Sequence, residues 1–189
     1  MNPTHYTQAV LESLEGGLPV PVVWNTGGYE RKETIQSLEG KVQVYLPDLK
    51  YALPGPAKKY SVAEDYFEWA SAAIREMFRQ TGPYQLENGQ LKRGVLIRHL
   101  LLPGELENTR RVIDWVAETF RPGDVMLSLM SQYTPTENCK QFPEINRRVT
   151  TYEYRKVADR AAELGFFGFA QDRRSAKEEY TPPFNLEGV

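Results

Sequence analysis

The sequence predicts an α/β protein: a mostly parallel sheet of about four strands with helices on its outside. Three observations carry this. Helical and strand patterns alternate from end to end of the 189 residues, as right-handed crossovers between parallel strands require. Four short apolar runs each end in a small cluster of polar residues, the layout that α/β sheets use at strand carboxyl ends. No tandem repeat, low-complexity stretch or linker interrupts the pattern, and the length suits one domain over 1–189. Four strands cannot close a barrel, so the sheet is expected to be open or curved.

Residues 7–15 carry Val10, Leu11 and Leu14 at helical spacing, stopped by Gly16 and Gly17. Leu18 to Trp24 is a short apolar run with Pro19 and Pro21 near its start, read as a strand entered late. A short helix over 31–38 ends at Gly40, and the run 42–50 is the second strand. Leu53-Pro54-Gly55-Pro56 reads as a loop leading to a Ser61/Glu64 capping box. That box opens a helix over 62–80, with Val62, Tyr66, Ala70, Ile74 and Met77 on one stripe. Gly82 to Gly89 is a polar turn region, and 94–104 is a third strand stopped by Pro103-Gly104. A helix over 107–119 carries Val112, Ile113 and Val116, followed by Phe120; Val125 to Gln132 is the fourth strand. After a loop over 133–149, Thr150 and Glu153 form a second capping box, opening a helix to about Leu164 with Gly165 as its C′ residue. Phe166 to Gln171 reads as one more short strand, and 172–189 as irregular structure.

Bulk properties exclude several classes. A net charge of −2 and a pI near 5.8 give no electrostatic reason to expect nucleic acid or an anionic membrane as partner. No apolar stretch approaches the roughly 20 residues that span a bilayer, and Met1-Asn2-Pro3-Thr4-His5 lacks signal-peptide regions. The single cysteine, Cys139, forms no intramolecular disulfide, which suits a cytoplasmic setting. One thiolate also falls short of the three or four that an iron–sulfur cluster takes. His5 and His99 are the only histidines, which argues against a histidine-based zinc site. No P-loop, GxGxxG, HExxH or GxSxG motif is present.

Chemistry is concentrated at the strand ends. Asn25-Thr26-Gly27-Gly28-Tyr29 offers oxygens and close backbone approach to a ligand, and equally suits an ordinary βα turn. Side chains two apart on a strand share a face, so Val44, Leu46, Asp48 and Lys50 point the same way. Asp48 and Lys50 are then either a ligand-facing pair or a structural ion pair at the sheet rim. Pro47 removes a ladder donor and marks an edge or an irregularity. Arg98 and His99 interrupt an apolar strand on opposite faces. Arg98 is the ligand candidate, its fork suited to a carboxylate or ribose oxygens. His99 is expected as a hydrogen-bonded histidine under the helix layer. Ser128, Ser131, Gln132 and Tyr133 close the fourth strand, with Met126 and Met130 as packing.

Taken together, Val23-Trp-Asn-Thr-Gly-Gly-Tyr29, Tyr45-Leu-Pro-Asp-Leu-Lys-Tyr51, Leu96-Ile-Arg-His-Leu-Leu-Leu-Pro-Gly104 and Ser128-Leu-Met-Ser-Gln-Tyr-Thr-Pro135 resemble the later strands of radical SAM proteins of the pyruvate formate-lyase activating enzyme-like group. Asn146-Arg147-Arg148 and the ending Pro183-Phe-Asn-Leu-Glu-Gly-Val189 fit the same group. The resemblance implies a partial (β/α)6 barrel binding S-adenosylmethionine beside a [4Fe–4S] cluster, with a glycyl radical enzyme as partner. It implies that Asn25, Thr26, Asp48, Lys50, Arg98, Gln132 and Tyr133 line the cofactor pocket. Asn25 stands where activating enzymes tend to have an aspartate, which weakens any cation-holding role there.

The chain departs from the group at its front. The C-x3-C-x2-C cluster motif and the Gly-Gly-Glu for the cofactor amine have no counterpart, and Asn2-Pro3-Thr4-His5-Tyr6 resembles the tail of the group's second strand. The chain is therefore expected to match the later two thirds of the fold, with the pocket wall and none of the cluster ligands. One reading is the C-terminal part of a radical SAM oxidoreductase, inactive alone. A second is a standalone module binding SAM, a nucleoside or a protein without radical chemistry. A third, ranked lowest, is a generic α/β enzyme using Asp48 and Lys50 for acid–base work. An exposed sheet edge would also favour self-association.

Overall fold

In the computed structural model, which describes residues 3–166, a 3₁₀ turn (Pro3–Tyr6) leads into α1 (Thr7–Ser13), β1 (Val23–Thr26), α2 (Lys32–Gln36) and β2 (Val44–Pro47). There follow α3 (Pro54–Ser61), α4 (Tyr66–Thr81), β3 (Gln85–Glu87) and β4 (Gln90–Leu100). The last elements are α5 (Leu106–Thr119), β5 (Met126–Met130), a 3₁₀ turn (Glu137–Gln141) and α6 (Thr151–Glu163). The expected strand over 166–171, apart from Phe166, the tail 172–189 and the Pro183–Val189 ending lie outside the described residues.

β1, β2, β4 and β5 run parallel in that order, each joined to the next by helices, so the α/β architecture holds. The short β3 pairs antiparallel with the first half of β4. One face of the sheet carries Trp24, Tyr45, Leu49, Val95, Ile97, Leu127 and Leu129, all buried. They pack with Ile74 and Met77 of α4 and Ile113 and Val116 of α5 in one core. The other face carries Val23, Asn25, Leu46, Asp48, Arg98, Leu100 and Met130, none of them fully buried, together with the buried Val44, Met126 and Ser128. The two faces follow from the strand period of two, and α4 and α5 pack on the first of them.

Three expectations are corrected. Pro54–Ser61 is a helix rather than a loop, because proline in the first turn gives up only an amide that has no intrahelical partner. Ser61 therefore ends α3 and caps nothing; Val62 closes that helix at φ +52°. Glu64 pairs with Lys58 at 2.9 Å, and α4 starts after Asp65, leaving Val62 almost fully exposed instead of on the buried stripe. The turn region 82–89 contains β3, whose hairpin to β4 turns through Asn88-Gly89, both at positive φ.

Other expectations match. Thr150 and Glu153 form the reciprocal capping box of α6, and Gly165 follows its C-cap at φ +78°. Pro47 marks an irregularity inside the sheet: the β2–β4 ladder runs through Tyr45↔Val95, lapses, and resumes in the same register at Asp48↔Arg98.

Candidate functional site

The parallel register brings three strand ends together. Asp48 sits opposite Arg98, and Arg98 opposite Ser128, all on the open face. Arg98 Nη2 donates to Asp48 Oδ1 at 2.7 Å and to Asn25 Oδ1 at 2.7 Å, so one guanidinium ties β1, β2 and β4. Lys50 Nζ lies 3.9 Å from Asp48 Oδ2 and is half exposed. Arg98 Nε is buried and has no hydrogen-bond partner among the described residues.

Backbone shape allows this approach. Gly28 has φ +82°, and a Cβ there would stand 1.9 Å from the Asp48 carbonyl oxygen. The Tyr66 hydroxyl, from α4, donates to Asp48 O at 2.7 Å, lies 3.0 Å from Gly27 O and accepts Lys50 N–H at 3.1 Å. Asn108, in the first turn of α5, accepts from Ala52 N and Leu53 N and donates to Lys50 O. These two side chains fix the main chain on both sides of the Asp48–Lys50 pair.

Beside the pair lies a cavity of about 310 Å³ with Asp48, Lys50, Tyr51 and Ser61 on its polar side and Leu100, Leu102 and Met130 on its apolar side. That volume and mixture suit a small organic ligand. Burial pushes the Tyr51 phenol up, an effect its hydrogen bond with Ser61 opposes.

His99 faces the other way. Its Nδ1 is 2.6 Å from Leu49 O and its Nε2 2.9 Å from Thr109 Oγ1, in the layer between sheet and α5. Complete burial drives its pKa down to about 4, against the opposing pull of the Leu49 carbonyl. The ring is thus neutral, with Nδ1–H donating to Leu49 and Nε2 accepting from Thr109.

Of the residues singled out in sequence, Asn25, Asp48, Lys50 and Arg98 come together. Thr26 does not: it is buried on the helix-covered face, where it donates to Glu30 and accepts Gly28 N–H at 3.2 Å. Tyr133 turns its hydroxyl to Cys139 Sγ at 3.0 Å, and among the described residues Gln132 joins no hydrogen bond with the Arg98 cluster. Burial raises the Cys139 thiol, but hydrogen bonds with Tyr133 and Thr136 outweigh it and hold the pKa below the usual value. Sequence reasoning missed Tyr51, Ser61, Asn108 and the hydroxyl of Tyr66. A signal existed for Tyr66, since a phenol on a buried stripe needs a partner for its hydroxyl.

No protein-family model matches the sequence. Over 162 residues the chain is 28% identical to an uncharacterized protein of Methanocaldococcus jannaschii, covering 85% of this chain and 44% of that protein. The chain thus spans less than half the length of that relative. Its fold is similar to the crystal structure of a domain of pyruvate-formate lyase-activating enzyme from Bacteroides vulgatus, with a TM-score of 0.65 and 13% identity over 91% of this chain and 95% of the other. The likeness establishes a shared fold, consistent with a partial barrel. No described helix is long and apolar enough to cross a membrane.

Proposed function

We propose that this chain forms the S-adenosylmethionine-binding wall of a radical SAM, activating-type barrel and holds no iron–sulfur cluster of its own. The observation that carries the reading is the convergence of Asn25, Asp48, Lys50 and Arg98 from three parallel strand ends beside an open cavity. The fold shared with a domain of a pyruvate-formate lyase-activating enzyme supports it.

The donor set fits the ligand. S-adenosylmethionine carries a carboxylate, an ammonium, a ribose and an adenine, and supplies a sulfonium-activated adenosyl group when bound. Lys50 and the partly exposed Arg98 guanidinium suit its carboxylate or ribose oxygens. The Asp48 carboxylate and the Asn25 amide oxygen suit its ammonium. Leu100, Leu102 and Met130 offer an apolar wall to the adenine. The residues do not fit a [4Fe–4S] cluster: the sequence has one cysteine, and among the described residues no group of three or more His, Cys, Asp or Glu side chains could hold a metal ion. On this reading the radical step, and any glycyl radical enzyme that receives it, depend on residues other than these, and the chain alone is a binding module.

Calorimetry with S-adenosylmethionine tests the proposal. Saturable heat is expected with the full chain, reduced about tenfold or more in affinity by Arg98→Ala or Asp48→Asn. No heat at millimolar ligand would refute it.

A further inference from the structure

A second cavity, of about 290 Å³, is lined by Tyr29, Glu30, Arg31, Asp65 and Trp69 and shares no lining residue with the cavity beside Asp48 and Lys50. Asp65 occupies the N-cap of α4, where an aspartate ordinarily accepts a first-turn amide. It makes no such bond. Its carboxylate instead accepts the Tyr29 hydroxyl at 2.6 Å and Trp69 Nε1–H at 2.9 Å. Trp69 is one turn further along α4, so its indole reaches back to Asp65. Tyr29 arrives from the β1–α2 loop and stacks on Tyr66 with centroids 5.8 Å apart and planes at 18°.

A helix cap has thus been given up to orient two large rings, and both remain open to solvent, at 45% and 37% exposure. Departures of this kind from local rules concentrate at functional positions. The hydrogen bonds from Tyr29 and Trp69 hold the Asp65 carboxyl below the usual carboxylate range, so it is charged at neutral pH. A carboxylate offers about four acceptor sites, which leaves capacity beyond these two donors. Asp65 is exposed, whereas Glu30 is buried and accepts the Thr26 hydroxyl, so Asp65 is the carboxylate that this cavity presents, beside the exposed Arg31. Aromatic faces and the Asp65 carboxylate both repel anions and attract cations.

We propose that this cavity binds a monovalent organic cation, an alkylammonium or alkylguanidinium group, through the faces of Tyr29 and Trp69 and the charge of Asp65. A lysine or arginine side chain of a partner polypeptide and a free small amine share this chemistry.

The test is a titration of the ¹⁵N-labelled full chain, following the Trp69 indole N–H resonance, assigned by its loss in Trp69→Phe. The probes are N-acetyl-lysine methylamide, N-acetyl-arginine methylamide, tetramethylammonium and N-acetyl-glutamate methylamide. Saturable displacement by the cations and none by the glutamate probe is expected. Tighter binding of the side-chain probes assigns a polypeptide source, and tighter binding of tetramethylammonium a free cation; either supports the site. Asp65→Asn is expected to weaken binding about tenfold, and Arg31→Gln, an exposed change, to tighten it about threefold. Equal response to the lysine and glutamate probes, no response at all, or affinity unaltered in Arg31→Gln would overturn the proposal.

Discussion

Acidification should loosen this protein through one buried side chain. His99 is buried, neutral and bonded at both nitrogens, with its pKa lowered to about 4. In the unfolded chain the same ring titrates near 6.5. Because the folded value is depressed, the unfolded state binds a proton first as pH falls, and stability is lost from about 6.5 downward. With these two values the loss is about 2 kcal/mol by pH 5 and about 3 kcal/mol by pH 4. Urea unfolding followed by tryptophan fluorescence at several pH values between 7 and 5 measures it, since Trp24 and Trp115 are buried reporters. His99→Asn keeps a donor for Leu49 O and removes the titration. It should cost about 1–3 kcal/mol at neutral pH, yet show a flat profile over the same range. A wild-type profile equally flat from pH 7 to 5 would refute the assignment of His99 as the sensitive group.

Asn108→Ala leaves two backbone amides and a carbonyl of the 50–53 loop without their partner. The expected cost is about 2–4 kcal/mol in urea unfolding, with a smaller cost for Asn108→Asp, which keeps both acceptor bonds. Gly28→Ala forces a methyl against the Asp48 carbonyl at positive φ and should lower stability by about 3 kcal/mol or more, read as a fall in thermal midpoint. Val62→Asn is expected to stabilise by about 1 kcal/mol, because an exposed β-branched residue at φ +52° is replaced by one that tolerates that conformation.

What the sequence discloses of this fold is what period and punctuation can carry. The apolar runs locate the four parallel strands, and the pairing of Thr150 with Glu153 locates the start of α6, because each signal is local. The opposite facing of Arg98 and His99 follows from strand geometry alone, and the structure places one on the open face and the other under α5. Proline misleads at residues 54 and 56, where it is admitted by a first helical turn rather than excluding one. β3 escapes because none of Gln85, Leu86 and Glu87 is buried, so no alternation marks them, although Asn88-Gly89 is a hairpin signal. At the site, strand-end position finds Asn25, Asp48, Lys50 and Arg98. Thr26 shares the turn but has the wrong parity, and Asn108 enters from a helix more than fifty residues away. Such contacts depend on tertiary docking, which no spacing rule encodes.

The Tyr66 hydroxyl spans 39 residues to Gly27 and 18 to Asp48. It is a seam between two strand ends closed by a helix that comes later in the chain. Both strands precede that helix, so a fragment ending before residue 66 would contain Asn25, Asp48 and Lys50 and still lack the fastener that sets their spacing. The site is therefore indivisible at this point in the chain. Residues 1–65 hold much of its chemistry, and residue 66 gives that chemistry its shape.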